Sequence, residues 1–438
     1  MSSINRVARQ PARTTNSVGT MVPVISAERQ LKRITLAAML WEKQFYLDGK
    51  SHAELVKELV AKVDANKVAY LAEQARSKFK LRHVPLLLAR ELARHGKLQA
   101  NALTNIIQRP DEMSEFLSIY WQDGKTAVSN QVKKGLAACF NKFSEYQLAK
   151  WNKNSAEIKL RDVMFLCHPR PSSDSQAELF KRVASDTLVT PDTWETALSS
   201  GADKGETFTR LMQEKKLGAL AFLRNLRNMQ QSGVNTSLIR EYTKTLDVSK
   251  VLPFRYIAAA RIVPEFEDML EAMMFRSLET HAKIPGKTVL LIDVSGSMFG
   301  AKISAKSDLD RFDAAAALAI LCREICEEVE IYSFSNDAKK VAPRRGFALG
   351  EAISTSQGHG GTYLGNAMKT VNSQSTYDRC IVFTDEQSFD RPAAPQGKGY
   401  IVNVASMQNG VNHNAWTEVN GFSEAVIDYI QALELEAA

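Results

Sequence analysis

Across 438 residues no apolar run comes near the roughly 18 to 20 residues that a bilayer-spanning helix needs, so a helical membrane protein is not expected. The first 25 residues are polar and basic, with Arg6, Arg9 and Arg13, and hold no apolar core of the kind a signal peptide carries; they read as a disordered tail. Cysteine is scarce. There are five, an odd number, none spaced Cys-x-x-Cys, which speaks against a disulfide framework. Cys322 and Cys326, four apart in an apolar stretch, read as buried thiols, and the pattern points to a reducing, cytoplasmic compartment. A Walker A phosphate loop and a nucleophile elbow are both missing, which removes two common routes to hydrolysis. No catalytic activity is expected.

Glycine is sparse from residue 26 to 284. There, apolar residues recur three and four apart among Ala, Leu, Lys and Glu, the pattern of successive amphipathic helices. Residues 31–45, 52–66, 86–95 and 180–184 are examples. Asp48-Gly49-Lys50-Ser51, Arg109-Pro110-Asp111 and Thr190-Pro191-Asp192 read as turns, with Ser51 and Asp192 as N-terminal caps. Many short helices on short connections describe an α-solenoid or helical array, although no fixed-period repeat is visible. After His281-Ala-Lys-Ile-Pro285-Gly286 the pattern alternates strand and helix. Strands are expected at 288–292, 329–334, 379–384 and 400–404, helices at 309–328, 363–371 and 422–433, and loops at 304–308 and 344–361. That order describes a doubly wound, Rossmann-like α/β domain over residues 285–438, following an all-α domain over 26–284.

Charge divides at the same boundary. Residues 286–438 hold 13 Lys and Arg against 19 Asp and Glu, a net of −6, while residues 1–285 hold 43 against 30, a net of +13. A cationic helical part favours polyanions, nucleic acid first among them, or is simply a solvated lysine-rich surface.

The strand Thr288-Val-Leu-Leu-Ile-Asp293 runs directly into Val-Ser295-Gly-Ser297-Met298. One carboxylate and two hydroxyls, two residues apart on a tight turn at the carboxyl end of a strand, form a set of hard oxygen donors. Such a set suits a divalent cation, Mg²⁺ above all, or else it is a capped turn whose hydroxyls satisfy backbone groups. Gly360-Gly361-Thr362 offers a further hydroxyl from a loop, and Ile381-Val-Phe-Thr384-Asp385 a second carboxylate at a strand end. In that order the residues resemble the metal-ion-dependent adhesion site of von Willebrand factor A domains. The resemblance implies that Ser295, Ser297 and Thr362 touch the metal, that Asp293 and Asp385 act mostly through water, and that an acidic partner group completes the shell.

Basic residues gather in two segments of the helical part. Lys133, Lys134, Lys142 and Lys150 are interleaved with Tyr146 and Trp151; the lysines suit phosphate, and the aromatics either stack on bases or anchor the core. Lys159, Arg161, His168 and Arg170 flank or lie on a helix whose apolar stripe is Leu160, Val163, Met164 and Cys167. Pro169 is expected to stop that helix and draw His168 into an extended conformation. His168 then suits RNA contact, or is a histidine favoured by the helix macrodipole. Arg76, Lys78, Lys80 and Arg82 read as a solvated face in secondary contact with RNA. Arg224 and Arg227 line a groove or pair with acids.

Four segments in order before Asp-x-Ser-x-Ser carry a second resemblance. They are Lys159 to Pro171, Thr193-Trp194-Glu195-Thr-Ala-Leu198-Ser199, Leu217 to Met229 with Arg224-Asn225-Leu226-Arg227-Asn228, and Leu252-Pro253-Phe254-Arg255-Tyr256. Together they resemble the TROVE module of the Ro autoantigen family, over most of the chain from residue 31. The resemblance implies a ring of HEAT-like helical repeats closed by the A domain. It implies binding of small non-coding Y RNAs on the basic outer surface and of single-stranded 3′ ends of misfolded RNAs in the central hole. It further implies a monomeric ribonucleoprotein linked to an exoribonuclease such as polynucleotide phosphorylase. The expectation is a non-catalytic RNA-binding protein of RNA quality control. The alternative is a metal-dependent protein-interaction scaffold acting through the A domain.

Overall fold

In a computed structural model the chain divides into two compact units, one of residues Ala53–Thr280, the other of His281–Ala438 together with Met1–His52. The described residues are 13–15, 21–23, 26–37 and 49–434, apart from 78–80, 153–155, 250, 252, 280, 303–308, 386, 406–414, 421–425, 428–429 and 432–433.

The first unit is helical. Its helices include Ala65–Ser77, His83–Arg94, Ala100–Ile106, Asp111–Tyr120, Asn130–Phe140 and Leu160–Cys167. Ala65–Ser77 and His83–Arg94 each pack both on the next helix in the chain and on the one after it, while Ala100–Ile106 lies on Asn130–Phe140 and Asn130–Phe140 on Leu160–Cys167. His83–Arg94 is buried on all sides from Val84 to Ala93, whereas Leu160–Cys167 buries one stripe of three- and four-residue spacing, Leu160, Val163, Met164 and Cys167, as read from the sequence. Side-chain caps punctuate the array. Ser144 and Gln147 close a reciprocal capping box on Glu145–Trp151, and Thr193 caps Trp194–Ser199. The two caps expected from sequence fall elsewhere. Ser51 lies inside the helix Gly49–Lys62, and Asp192 stands one residue ahead of the true cap, where it pairs with Arg210 and Lys216.

The second unit is built on a six-stranded sheet. Arg13–Thr15 (β1) and Met21–Pro23 (β2) form a separate antiparallel pair inside the tail expected to be disordered; the rest of residues 1–25 lies outside the described residues. Ile284–Asp293 (β3), Cys326–Phe334 (β4), Ala338–Lys340 (β5), Arg379–Thr384 (β6), Lys398–Asn403 (β7) and Thr417–Asn420 (β8) are ordered β5-β4-β3-β6-β7-β8, all parallel except the short edge strand β5. Parallel strands need both faces covered. Val289 and Leu291 join Leu364, Met368 and Val371 of the helix Leu364–Gln374 on one face. Leu290 and Ile292 alternate to the other, where the almost wholly buried helix Arg311–Ile325 packs along β3.

Four elements differ from the sequence expectation. Residues 344–361 are not all loop: Gly346–Ser354 is a helix, packed on Arg311–Ile325 and burying Leu349 and Ile353. The strands β5 and β8 had no counterpart among the expected elements. The helix Ala27–Ala37, assigned to the helical domain on its periodicity, packs against β8 and belongs to the sheet unit, with Leu31 and Ile34 buried. Periodicity reveals that a helix has an apolar face but not which element covers it. Residues 38–45 of that expected helix, and most of 422–433, lie outside the described residues, although Val426, Ile427 and Ile430 are buried there. All five cysteines are buried and unbridged. Among the described residues no helix is long and apolar enough to cross a membrane.

Candidate functional site

The carboxyl ends of β3, β4 and β6, three adjacent strands, carry one hydrogen-bonded constellation. Asp293 ends β3 and is fully buried. Its Oδ1 accepts the Ser295 N–H at 2.8 Å and its Oδ2 accepts the Thr384 hydroxyl at 2.6 Å. Ser295 is buried and Ser297 exposed, with their hydroxyl oxygens 3.3 Å apart. Asp385, next after β6, is fully buried and accepts the Gln387 N–H at 3.3 Å on Oδ1. Burial, and then the charge of the neighbouring Asp385, push the Asp293 carboxyl well above the ordinary carboxylate range.

Thr362 reaches the same place on a loop that is tied down from three sides. The Gly296 N–H donates to the Gly360 carbonyl at 3.2 Å, and the Gly361 N–H donates to Asn336 Oδ1 at 2.9 Å. The Thr362 carbonyl accepts the Phe389 N–H at 3.0 Å. A Cβ at Gly360 would lie 2.7 Å from the Asn336 side chain, so a larger residue there would displace Asn336 from the Gly361 N–H. His359 Nδ1 is 2.8 Å from the Val294 carbonyl, and the ring lies tilted against Phe299 with centroids 4.1 Å apart. Thus Asp293, Ser295, Ser297, Thr362 and Asp385, scattered over ninety residues of sequence, stand on loops that are bonded to one another.

The donor set is two carboxylates and three hydroxyls, all hard oxygen, and it fits a small divalent cation. Among the described residues no group of three His, Cys, Asp or Glu side chains forms a softer or all-carboxylate alternative. Two contributors escaped the sequence reading. Arg311, buried at the first turn of the helix Arg311–Ile325, donates from one guanidinium nitrogen to Asp385 Oδ2 at 3.0 Å and to the Ser297 carbonyl at 3.3 Å. Asn336 follows β4 and fixes the Gly360–Gly361 turn. Neither lies beside a motif in sequence, so only the fold connects them to the site.

The basic residues of the helical unit divide into bound and exposed sets. Lys142, expected to meet phosphate, donates Nζ to the carbonyls of Thr104, at 2.5 Å, and Ile107, where it caps the helix Ala100–Ile106; burial holds its pKa below the usual lysine value. Arg76 pairs with the buried Glu112 at 2.6 Å and Arg82 with Asp111 at 2.8 Å, so these two are structural rather than a solvated face; Lys78 and Lys80 lie outside the described residues. Lys134, Lys150, His168 and Arg170 are exposed, and Lys133, Lys159 and Arg161 are half-buried. Tyr146 is 53% exposed, which excludes it as a core anchor. Trp151 lies under the Arg109 guanidinium, 3.6 Å from the ring centre. It opens onto a cleft of about 840 Å³ shared with Lys150, Val189, Trp194 and Arg224. His168 is not extended. It closes its helix in the left-handed region at φ 49°, ψ 63°, with its N–H on the Met164 carbonyl at 2.9 Å, because reversing the chain at a helix end outweighs the preference that Pro169 imposes.

Comparison with known proteins agrees with this layout. Residues 181–311 match the family model of the TROVE domain, a span that runs from the helical unit through Asp293, Ser295 and Ser297 to Arg311. The crystal structure of the Deinococcus radiodurans Ro (RSR) protein superposes with a TM-score of 0.65 over 93% of this chain and 99% of that one, at 18% sequence identity. No curated protein matches the chain in sequence. Over residues 181–311 the chain is thus similar to the TROVE domain, and as a whole it has the fold of the Deinococcus Ro protein.

Proposed function

We propose that this is a non-catalytic RNA-binding protein of the Ro type, which holds structured small non-coding RNA of the Y RNA kind and single-stranded 3′ ends in RNA quality control. The observation that carries this reading is the sorting of cations within the helical unit. Arg76, Arg82 and Lys142 are engaged by carboxylates and carbonyls, whereas Lys134, Lys150, His168 and Arg170 face solvent, Lys150 standing over the exposed Tyr146 and lining a cleft with Trp151 and Trp194. Lysines neutralise phosphate and flat rings stack on unpaired bases, the two contacts that loop and single-strand recognition requires. In this reading the helical array is HEAT-like, the sheet unit is a von Willebrand A domain holding Mg²⁺ through Ser295, Ser297 and Thr362, and the particle is a cytoplasmic, monomeric ribonucleoprotein that works with an exoribonuclease. Affinity for a hairpin RNA with a 3′ tail, measured between 50 and 200 mM salt, tests it. A steep linear fall of log affinity with log salt is expected, and a flat response would remove the basic-surface model.

A protein-scaffold role through the metal centre is favoured by one feature. Tyr363 and Phe389, 40% and 56% exposed, pair their rings 5.6 Å apart beside Thr362, offering an apolar contact next to a metal that seeks a carboxylate.

A further inference from the structure

Arg311 is placed where electrostatics alone would not put it. It is the first residue of its helix, at the positive end of the macrodipole, and it is 2% exposed, so both the dipole and desolvation oppose its charge. Among the groups that hold it is Asp385, fully buried, at 3.0 Å. The same guanidinium nitrogen reaches the Ser297 carbonyl, so the cation bridges the loop after β3 to the residue after β6. Asp310 Oδ1 caps the helix by accepting the Asp313 N–H at 2.9 Å, which fixes the turn that aims Arg311 inward.

We propose that Arg311 is a resident cation of the metal centre: it lowers the affinity of the site for a divalent ion, and it gives the loaded site the extra positive charge that makes it take an anionic ligand. This rests on the metal reading above. The argument is charge counting. Whatever else surrounds the centre, a guanidinium bonded to Asp385 cancels one of the two carboxylate charges that would attract a metal. A divalent ion then binds against a neighbouring positive charge and leaves the centre one unit more positive than the same five ligands would without Arg311. A carboxylate from a partner relieves that excess. Metal affinity and anion affinity are therefore set in opposite directions by one side chain.

The test uses the full chain and its variants Arg311→Met, Arg311→Lys and the pair Arg311→Met with Asp385→Asn, titrated with Mn²⁺ by calorimetry and then, when loaded, with acetate followed by the Mn²⁺ paramagnetic signal. Each is melted with and without Mn²⁺, because Arg311→Met leaves Asp385 buried without its counter-charge; if that variant does not fold alone, it is refolded in Mn²⁺. Expected is Mn²⁺ binding tighter in Arg311→Met by on the order of tenfold or more, the scale of one unit charge a few ångströms away in a polarisable site. Arg311→Lys should stay near the parent. Acetate should bind more weakly to loaded Arg311→Met and recover in the double variant, whose net charge equals the parent's. Equal or weaker Mn²⁺ binding by folded Arg311→Met, or a lysine variant that behaves like the methionine one, overturns the role of Arg311. Mn²⁺ bound by none of the four proteins, or bound undiminished after Ser295→Ala with Ser297→Ala, overturns the metal reading instead.

Discussion

Thr384 Oγ1 donates to Asp293 Oδ2 at 2.6 Å, which joins the ends of the two central strands β3 and β6 through a pair of fully buried side chains. Val at 384 keeps the shape and removes the donor. A buried carboxylate that loses a hydrogen bond costs about 1–3 kcal/mol, so Thr384→Val is expected to lose stability on that scale in urea denaturation, with an unchanged m-value. A loss under about 0.5 kcal/mol would mean that Asp293 is satisfied without Thr384.

Arg379 does comparable work at the opposite end of β6. Its Nε and Nη2 form a bidentate pair with Glu434 at 2.8 and 2.6 Å, and its Nη1 donates to the Pro285 carbonyl at 2.8 Å and the Thr288 hydroxyl at 2.9 Å. The chain's last described helical residue is thereby fastened to the first residues of β3. Removing one member of a buried pair strands the other, at a cost of about 3–5 kcal/mol. Arg379→Met should therefore destabilise more than Arg379→Met with Glu434→Leu. Additive losses in a double-mutant cycle would show that the two side chains are not coupled.

These two relationships also show what a sequence can and cannot disclose. The strand Arg379–Thr384 was legible because Cys380, Ile381, Val382 and Phe383 form a short, β-branched-rich apolar run ending in Thr384-Asp385, and the structure buries all six residues. Asp293, Ser295, Ser297 and Asp385 were legible because they sit at ends of such strands. Arg311 and Asn336 were not, because their contacts with the site are tertiary and nothing local marks them. The helix Gly346–Ser354 was missed because Gly346 and Gly350 weaken its intrinsic propensity, and only packing on Arg311–Ile325 makes it form. Lysines were easiest to find and hardest to interpret: Lys142 and Lys150 belong to one basic run in the sequence and both are exposed, yet the ammonium of one caps a helix and that of the other stands over aromatic rings.

Acid should unfold the sheet unit in part through Glu330. Hydrogen bonds from the Lys287 ammonium, at 2.8 Å, and from the Ser375 hydroxyl hold its carboxyl down at about 2, against an ordinary value of 4.5. The folded state therefore binds the proton more weakly than the unfolded chain. The stability this supplies is complete above about pH 4.5 and disappears as the pH falls to about 2. Glu330→Gln removes that contribution. The stability of the variant should fall below the parent's at pH 6 and converge on it near pH 2, as read by denaturation at a series of pH values; a constant difference across that range would assign the effect to packing.

Lys142 and Lys150 supply the sharpest contrast within the basic run. Lys142→Met takes away the ammonium that caps the carbonyls of Thr104 and Ile107, so it should lower the melting temperature by several degrees while leaving the salt slope of RNA binding unchanged. Lys150 lies above the rings of Tyr146 and Trp151, 5.8 and 5.9 Å from their centres, and is exposed. Lys150→Met should leave the melting temperature unchanged, weaken binding of tailed RNA uniformly across sequences and reduce the salt slope by about one phosphate contact. Changing Lys133, Lys134, His168 and Arg170 together to neutral residues should abolish capture of tailed transcripts by a protein that still melts cooperatively. Should Lys142→Met change the salt slope and Lys150→Met the melting temperature, the division between structural and RNA-facing cations would have to be reversed.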